Sequence, residues 1–103
     1  MSGFLIQSHF GSMGNFEVVV PSRAAGGLVH FWRNNDDPSL PWGAPTVFGL
    51  GLQFGFPSLI QGNFGSPGNL EVVVGTFGGS AELVHFYRDS IGWHGPDIAE
   101  TGV

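Results

Sequence analysis

One pattern occurs twice in this chain. Gly14-Asn15-Phe16-Glu17-Val18-Val19-Val20 and Leu28-Val29-His30-Phe31-Trp32-Arg33 return as Gly68-Asn69-Leu70-Glu71-Val72-Val73-Val74 and Leu83-Val84-His85-Phe86-Tyr87-Arg88. Order and spacing are kept, with one residue added near Glu82, so the halves are copies of one structural unit. Any fold proposed for the chain has to use a unit of about 50 residues twice.

Each copy reads as four short strands. Residues 4–10 and 58–64 carry strand formers and end at Gly11 and Gly65. Turn residues then lead into residues 15–20 and 69–74, whose Val-Val-Val runs fit a strand covered on both faces. Gly-rich segments 21–27 and 75–81 have hairpin length, so residues 28–33 and 83–88 should run antiparallel to the strands before them. A polar loop at 34–41, shortened to 89–92 in the second copy, precedes residues 42–48 and 93–99. Each of these last segments has a Trp followed three residues later by a Pro, which predicts a short outer strand with an irregular start. Residues 49–57 link the copies, and the lack of a 3.6-residue apolar period predicts almost no helix.

A four-stranded antiparallel unit of this length, apolar on both faces and repeated, is the pattern of a propeller blade. The expected fold is therefore all-β, with one blade in residues 1–49 and the other in 50–103. A ring needs at least four blades. Two alone would leave two apolar sheet faces in water, so closure by self-association is expected: three chains for six blades, or four for eight, or two for four. A two-sheet sandwich built from the same eight strands is the rival architecture.

Composition narrows the partners. With no lysine, three arginines stand against eight acidic residues and give a net charge of -5, which disfavours nucleic acid and anionic membranes. No apolar run approaches the ~18 residues of a membrane helix, and Met1-Ser2-Gly3 lacks the basic start of a signal peptide, so the chain is expected to be soluble, with its compartment left open. There is no cysteine for a disulfide, thiolate metal site or nucleophile. His9, His30, His85 and His94 lack metal-ligand spacing, and neither metal nor cofactor is expected. Asn34-Asn35-Asp36-Asp37 matches a calcium loop in oxygen count only, and its counterpart Asp89-Ser90-Ile91-Gly92 has lost most of those oxygens, so a solvated turn is the reading taken.

Strand alternation places Leu28, His30 and Trp32 on one face and Val29, Phe31 and Arg33 on the other. If the hairpin pairs Val20 near Leu28, Glu17 shares a face with Arg33, and Glu71 with Arg88. That would make an ion pair between blades, or a site in which arginine grips hydroxyl or carboxylate groups. His30 and Trp32, repeated as His85 and Tyr87, read either as core residues or as a shallow interblade pocket. In the pocket reading a ring stacks on the C–H face of a sugar and an imidazole or amide holds its hydroxyls. Trp42 and Trp93 flank a loop and offer a better-exposed platform. Gly-x-Ser-x-Gly is absent, and Glu17 and Glu71, which imitate a carboxylate pair, each have an expected arginine partner and nothing that raises one above the other as an acid, so no enzyme is expected.

Leu-Ile-Gln-x-x-Phe-Gly, Gly-Asn-x-Glu-Val-Val-Val, Leu-Val-His-Phe-(Trp/Tyr)-Arg-(Asn/Asp) and the trailing Trp, in that order twice, resemble the repeat of the Psathyrella velutina lectin family over nearly the whole chain. The resemblance implies a β-propeller that binds terminal N-acetylglucosamine, and sialylated glycans, between adjacent blades. The fungal lectin is a single seven-bladed chain, which two repeats cannot close. Two-blade chains that trimerise are known among bacterial fucose-binding lectins, an analogy of assembly and not of site. Carried onto this chain, the resemblance points to Gln7, His30, Trp32, Asn34 and Trp42, with Gln61, His85, Tyr87, Asp89 and Trp93 as a second set. The changes Trp32 to Tyr87 and Asn34 to Asp89 predict sites of unequal strength. The function implied is a multivalent lectin without catalysis; the alternative is a structural or protein-interaction propeller, or a piece of one, with no sugar site.

Overall fold

The structure, a computed structural model, describes residues 3–24, 26–77 and 81–103. The start of the chain and parts of the two Gly-rich loops, at 25 and 78–80, lie outside the described residues. Two four-stranded antiparallel sheets form, each a meander in chain order, and no helix occurs among the described residues. The first sheet is β1 (Phe4–Gln7), β2 (Phe16–Pro21), β3 (Leu28–Arg33) and β4 (Thr46–Phe48). The second is β5 (Ser58–Gln61), β6 (Leu70–Gly75), β7 (Glu82–Arg88) and β8 (Trp93–Thr101).

The inner strands lie where the repeat places them, and the outer strands differ at their ends for local reasons. β1 stops at Gln7 and not at Phe10, because the Ser8 N–H bonds the Asn15 carbonyl (2.8 Å) and the Asn15 N–H bonds the Phe10 carbonyl (3.1 Å). That tight loop turns through Gly11 (φ 72°) and Gly14 (φ 86°), both in the left-handed region that favours glycine. The second copy repeats it, with Gly62 N–H to Asn69 at 2.8 Å and Asn69 N–H to Phe64 at 2.7 Å. β4 begins at Thr46 and not at Trp42, since Pro45 has no N–H to give the ladder; Trp42 makes only an isolated bridge to Arg33. In β8 the register shift between His85 and Tyr87 leaves Gly95 and Pro96 opposite Phe86, and the strand runs on to Thr101. The link is not free either: Gly27 N–H bonds the Leu52 carbonyl (2.8 Å), and Phe54 is buried.

Register decides what each face carries. β2 pairs Glu17 with Trp32, Val19 with His30 and Pro21 with Leu28. The hairpin is thus one residue off a Val20–Leu28 pairing, and a shift of one moves every side chain to the opposite face. Glu17 therefore lies with His30 and Trp32, not with Arg33, and the expected Glu17–Arg33 and Glu71–Arg88 pairs do not form. Arg33 instead lies over the Phe16 ring, 4.3 Å from its centroid, and its Nε donates to Asn35 Oδ1 at 2.7 Å.

We call the Glu17–Val19–His30 side of a sheet its front and the Val18–Phe31 side its back. The first sheet buries its front: Glu17, Val19, Leu28, His30 and Phe48. The second buries its back: Leu59, Leu70, Val72, Val74, Val84 and Phe86. Equivalent residues therefore have opposite fates. Val19 is 0% exposed and its counterpart Val73 39%, while Leu59 is 0% exposed and its counterpart Leu5 56%. The sheets stack head to tail, front on back. A duplicated sandwich with a pseudo-twofold would bury the same face of both copies. Phe48 holds the stack by lying flat on Trp93 (centroids 4.0 Å, 4°) and edge-on to Phe86 (5.1 Å, 77°). Each buried Leu, Val or Phe contributes about 1.5–3 kcal/mol.

Candidate functional site

Two crevices open at matching places in the two copies. The first, of about 210 Å³, is lined by Phe10, Asn15, Glu17, His30 and Trp32 of the first sheet and, across the stack, by Arg88 of the second. The other, of about 370 Å³, is lined by Phe64, Asn69, Glu71, His85 and Tyr87. These five are the repeat equivalents of the first five. The missing member is the arginine.

The floor of the first crevice is a buried acid–imidazole pair. Glu17 Oε1 is 2.8 Å from His30 Nε2, and Ser8 Oγ donates to Glu17 Oε2 at 3.0 Å. Trp93 Nε1 reaches across the stack to donate to His30 Nδ1 at 3.4 Å. With Nδ1 accepting, the ring proton sits on Nε2 and points at the carboxylate. A carboxylate this deep is tolerated because both oxygens are met by donors. In the second crevice Glu71 Oε1 and His85 Nε2 are 2.6 Å apart, but Gly62 stands where Ser8 was, and Asp97 Oδ2, at 3.7 Å, faces His85 Nδ1 in place of an indole.

Above that floor the first crevice has unspent donors. The Arg88 guanidinium makes no hydrogen bond or ion pair among the described residues. Asn15 Oδ1 accepts from the Asn35 N–H (3.1 Å), which leaves its amide N–H groups for another acceptor. Trp32 presents a partly exposed ring. The set offers an apolar ring face, planar donors and an anionic acceptor within one crevice, which suits a polyhydroxylated ligand with one apolar side. Glu17 and Glu71 line separate crevices, so they do not face each other across a bond to be cleaved.

The structure sorts the sequence candidates. His30 and Trp32 line one crevice, and His85 and Tyr87 the other. Gln7 and Gln61 line neither; their Nε2 groups donate to the carbonyls of Gly14 (3.2 Å) and Gly68 (3.0 Å) and brace the turns. Asn34 is spent on the Asp36 N–H at 3.1 Å. Asp89 Oδ1 accepts from the Ile91 N–H (2.8 Å), which with the His94 contact at 3.0 Å holds its carboxyl below the ordinary value. Trp93 stands behind His30 as its donor, and Trp42 lies on the outer back of the first sheet, 52% exposed. In the calcium-like loop Asp36 accepts from the Ser12 (2.8 Å) and Met13 (2.7 Å) N–H groups and Asp37 from Ser39. Those bonds lower both pKa values, and the oxygens serve the backbone.

Phe10 and Asn15 are not among the sequence candidates, and Arg88, expected beside Glu71, lines the first crevice instead. Asn15 could have been found, since Gly-Asn-x-Glu is kept in both copies. The placement of Arg88 across from Glu17 could not, because it depends on which face of the second sheet meets the first. Comparison of the chain with protein-family models, with curated proteins and with solved structures finds no match.

Proposed function

We propose that the chain is a non-catalytic, multivalent lectin. Its ligands are terminal N-acetylglucosamine-type glycans, sialylated ones included, held in the crevices between stacked blades. Its blades close into a propeller by self-association, three chains giving six blades. The observation that carries this reading is the first crevice, where Trp32 and Arg88 stand on opposite sheets above the Glu17–His30 floor. Trp32 stacks on the C–H face of a sugar, Arg88 and Asn15 donate to hydroxyl or acetamido oxygens, and Glu17 accepts. The repeat's resemblance to the fungal lectin family supports the sugar class. Several weak pockets on one ring gain avidity through effective concentration.

Retention on an N-acetylglucosamine resin, reversed by free sugar, is the expected result. Trp32→Ala should weaken it by roughly tenfold, about 1.4 kcal/mol. No binding to any glycan on a broad array sinks the proposal. The scaffold reading has one observation of its own, the burial of Glu17 and His30, which suits a purely structural pair. It predicts that Trp32→Ala changes no binding at all.

A further inference from the structure

The second crevice is a half-site, and the chain carries the other half on its far side. Inside the molecule, the back of the second sheet brings two groups to the front of the first: Arg88 walls the crevice and Trp93 caps His30. Their repeat equivalents, Arg33 and Trp42, lie on the back of the first sheet, which no sheet covers, and Trp42 is 52% exposed. The groups they would serve, Glu71, His85 and Tyr87, lie on the uncovered front of the second sheet. The two open faces are thus the same pair of faces that already pack within the chain.

We infer that the second crevice is completed by a second copy of this chain, whose Arg33 supplies the missing wall and whose Trp42 caps His85. This deepens the self-association reading above and rests on it. Charge agrees, since the open front carries Glu71 and Asp97 and neither arginine nor lysine among the described residues, while the open back carries Arg33. Apolar fit agrees too: Val73 and Ile60 are exposed on that front, as Leu5 is on that back, whereas Val19 and Leu59 are sealed in the internal stack. In the joined state the Trp42 indole takes the place beside His85 Nδ1 that Asp97 holds at 3.7 Å. Such contact is heterologous, each chain offering one face and receiving the other, and it propagates until it closes.

The chain has no cysteine, so introduced thiols report without background. Trp42→Cys and Asp97→Cys alter side chains that are 52% and 71% exposed, and both variants should keep the fold, read by circular dichroism. Wild type should sediment at the mass of two or more chains. With a short bis-maleimide, the mixture of the two single variants should give covalent pairs, and neither variant alone should do so. A wild-type monomer at every concentration overturns this inference together with self-association. A multimer in which Trp42→Cys links to itself, with no product peculiar to the mixture, overturns the head-to-tail pairing and leaves self-association standing.

Discussion

Glu17 shows how a single residue changes meaning with one step of register. From its neighbours alone it could face Arg33; the observed pairing sets it on His30, with Ser8 on its second oxygen. Removing the imidazole leaves a buried carboxylate with one donor, so His30→Ala should cost about 3–5 kcal/mol. Ser8→Gly, which installs what the second copy has at Gly62, removes a neutral hydroxyl that meets Glu17 Oε2, the Asn15 carbonyl and the Phe10 N–H, and should cost about 1–3 kcal/mol. Urea unfolding of the two variants measures the order; the reverse order would mean that histidine is not the main partner of the carboxylate. At this scale the sequence named His30 and Trp32 correctly as neighbours on one face, because alternation within a strand is local. It assigned Glu17 to the wrong partner, because the length of the Gly-rich hairpin is not written in its flanking strands.

Among the elements, the turn after the first strand of each copy carries the most information per residue. Gln7, Asn15 and Gly14 close it in the first copy and Gln61, Asn69 and Gly68 in the second. Gly14 has φ 86°, and a Cβ there runs into the Ser8 carbonyl oxygen. Gly51 has φ 89°, but a methyl added there meets no atom within 4 Å. Gly51→Ala should therefore cost about 1–2 kcal/mol from backbone strain alone. Gly14→Ala should cost more, because strain and collision act together. Chemical denaturation distinguishes them, and equal losses would mean that the turn yields around the added methyl. The strands are legible from short runs of strand formers between turn residues, the Val-Val-Val runs of β2 and β6 most plainly. Their ends are less so, since Pro45 shortens β4 whereas Pro96 is absorbed by a register shift in β8.

For the whole molecule, what counts is that both faces of each sheet are apolar, and that alone hides which face meets which. Val18 and Val19 look alike in the sequence, yet Val19 is sealed and Val18 only half-buried. The stack is held by larger groups in its core, with Phe48 against Trp93 and Trp93 against His30. This is why the sequence sets Arg88 beside Glu71 and not across from Glu17. If the two open faces close on further copies, folding is coupled to assembly, and the midpoint of thermal unfolding should rise with protein concentration. A midpoint independent of concentration, measured by differential scanning calorimetry, would count against that coupling.

The front-on-back stack also bears on how such a chain can change over generations. A unit whose two faces already fit each other can be gained or lost by unequal crossing-over without inventing a new surface. Divergence between copies, such as Ser8 against Gly62 or Trp32 against Tyr87, can accumulate one pocket at a time.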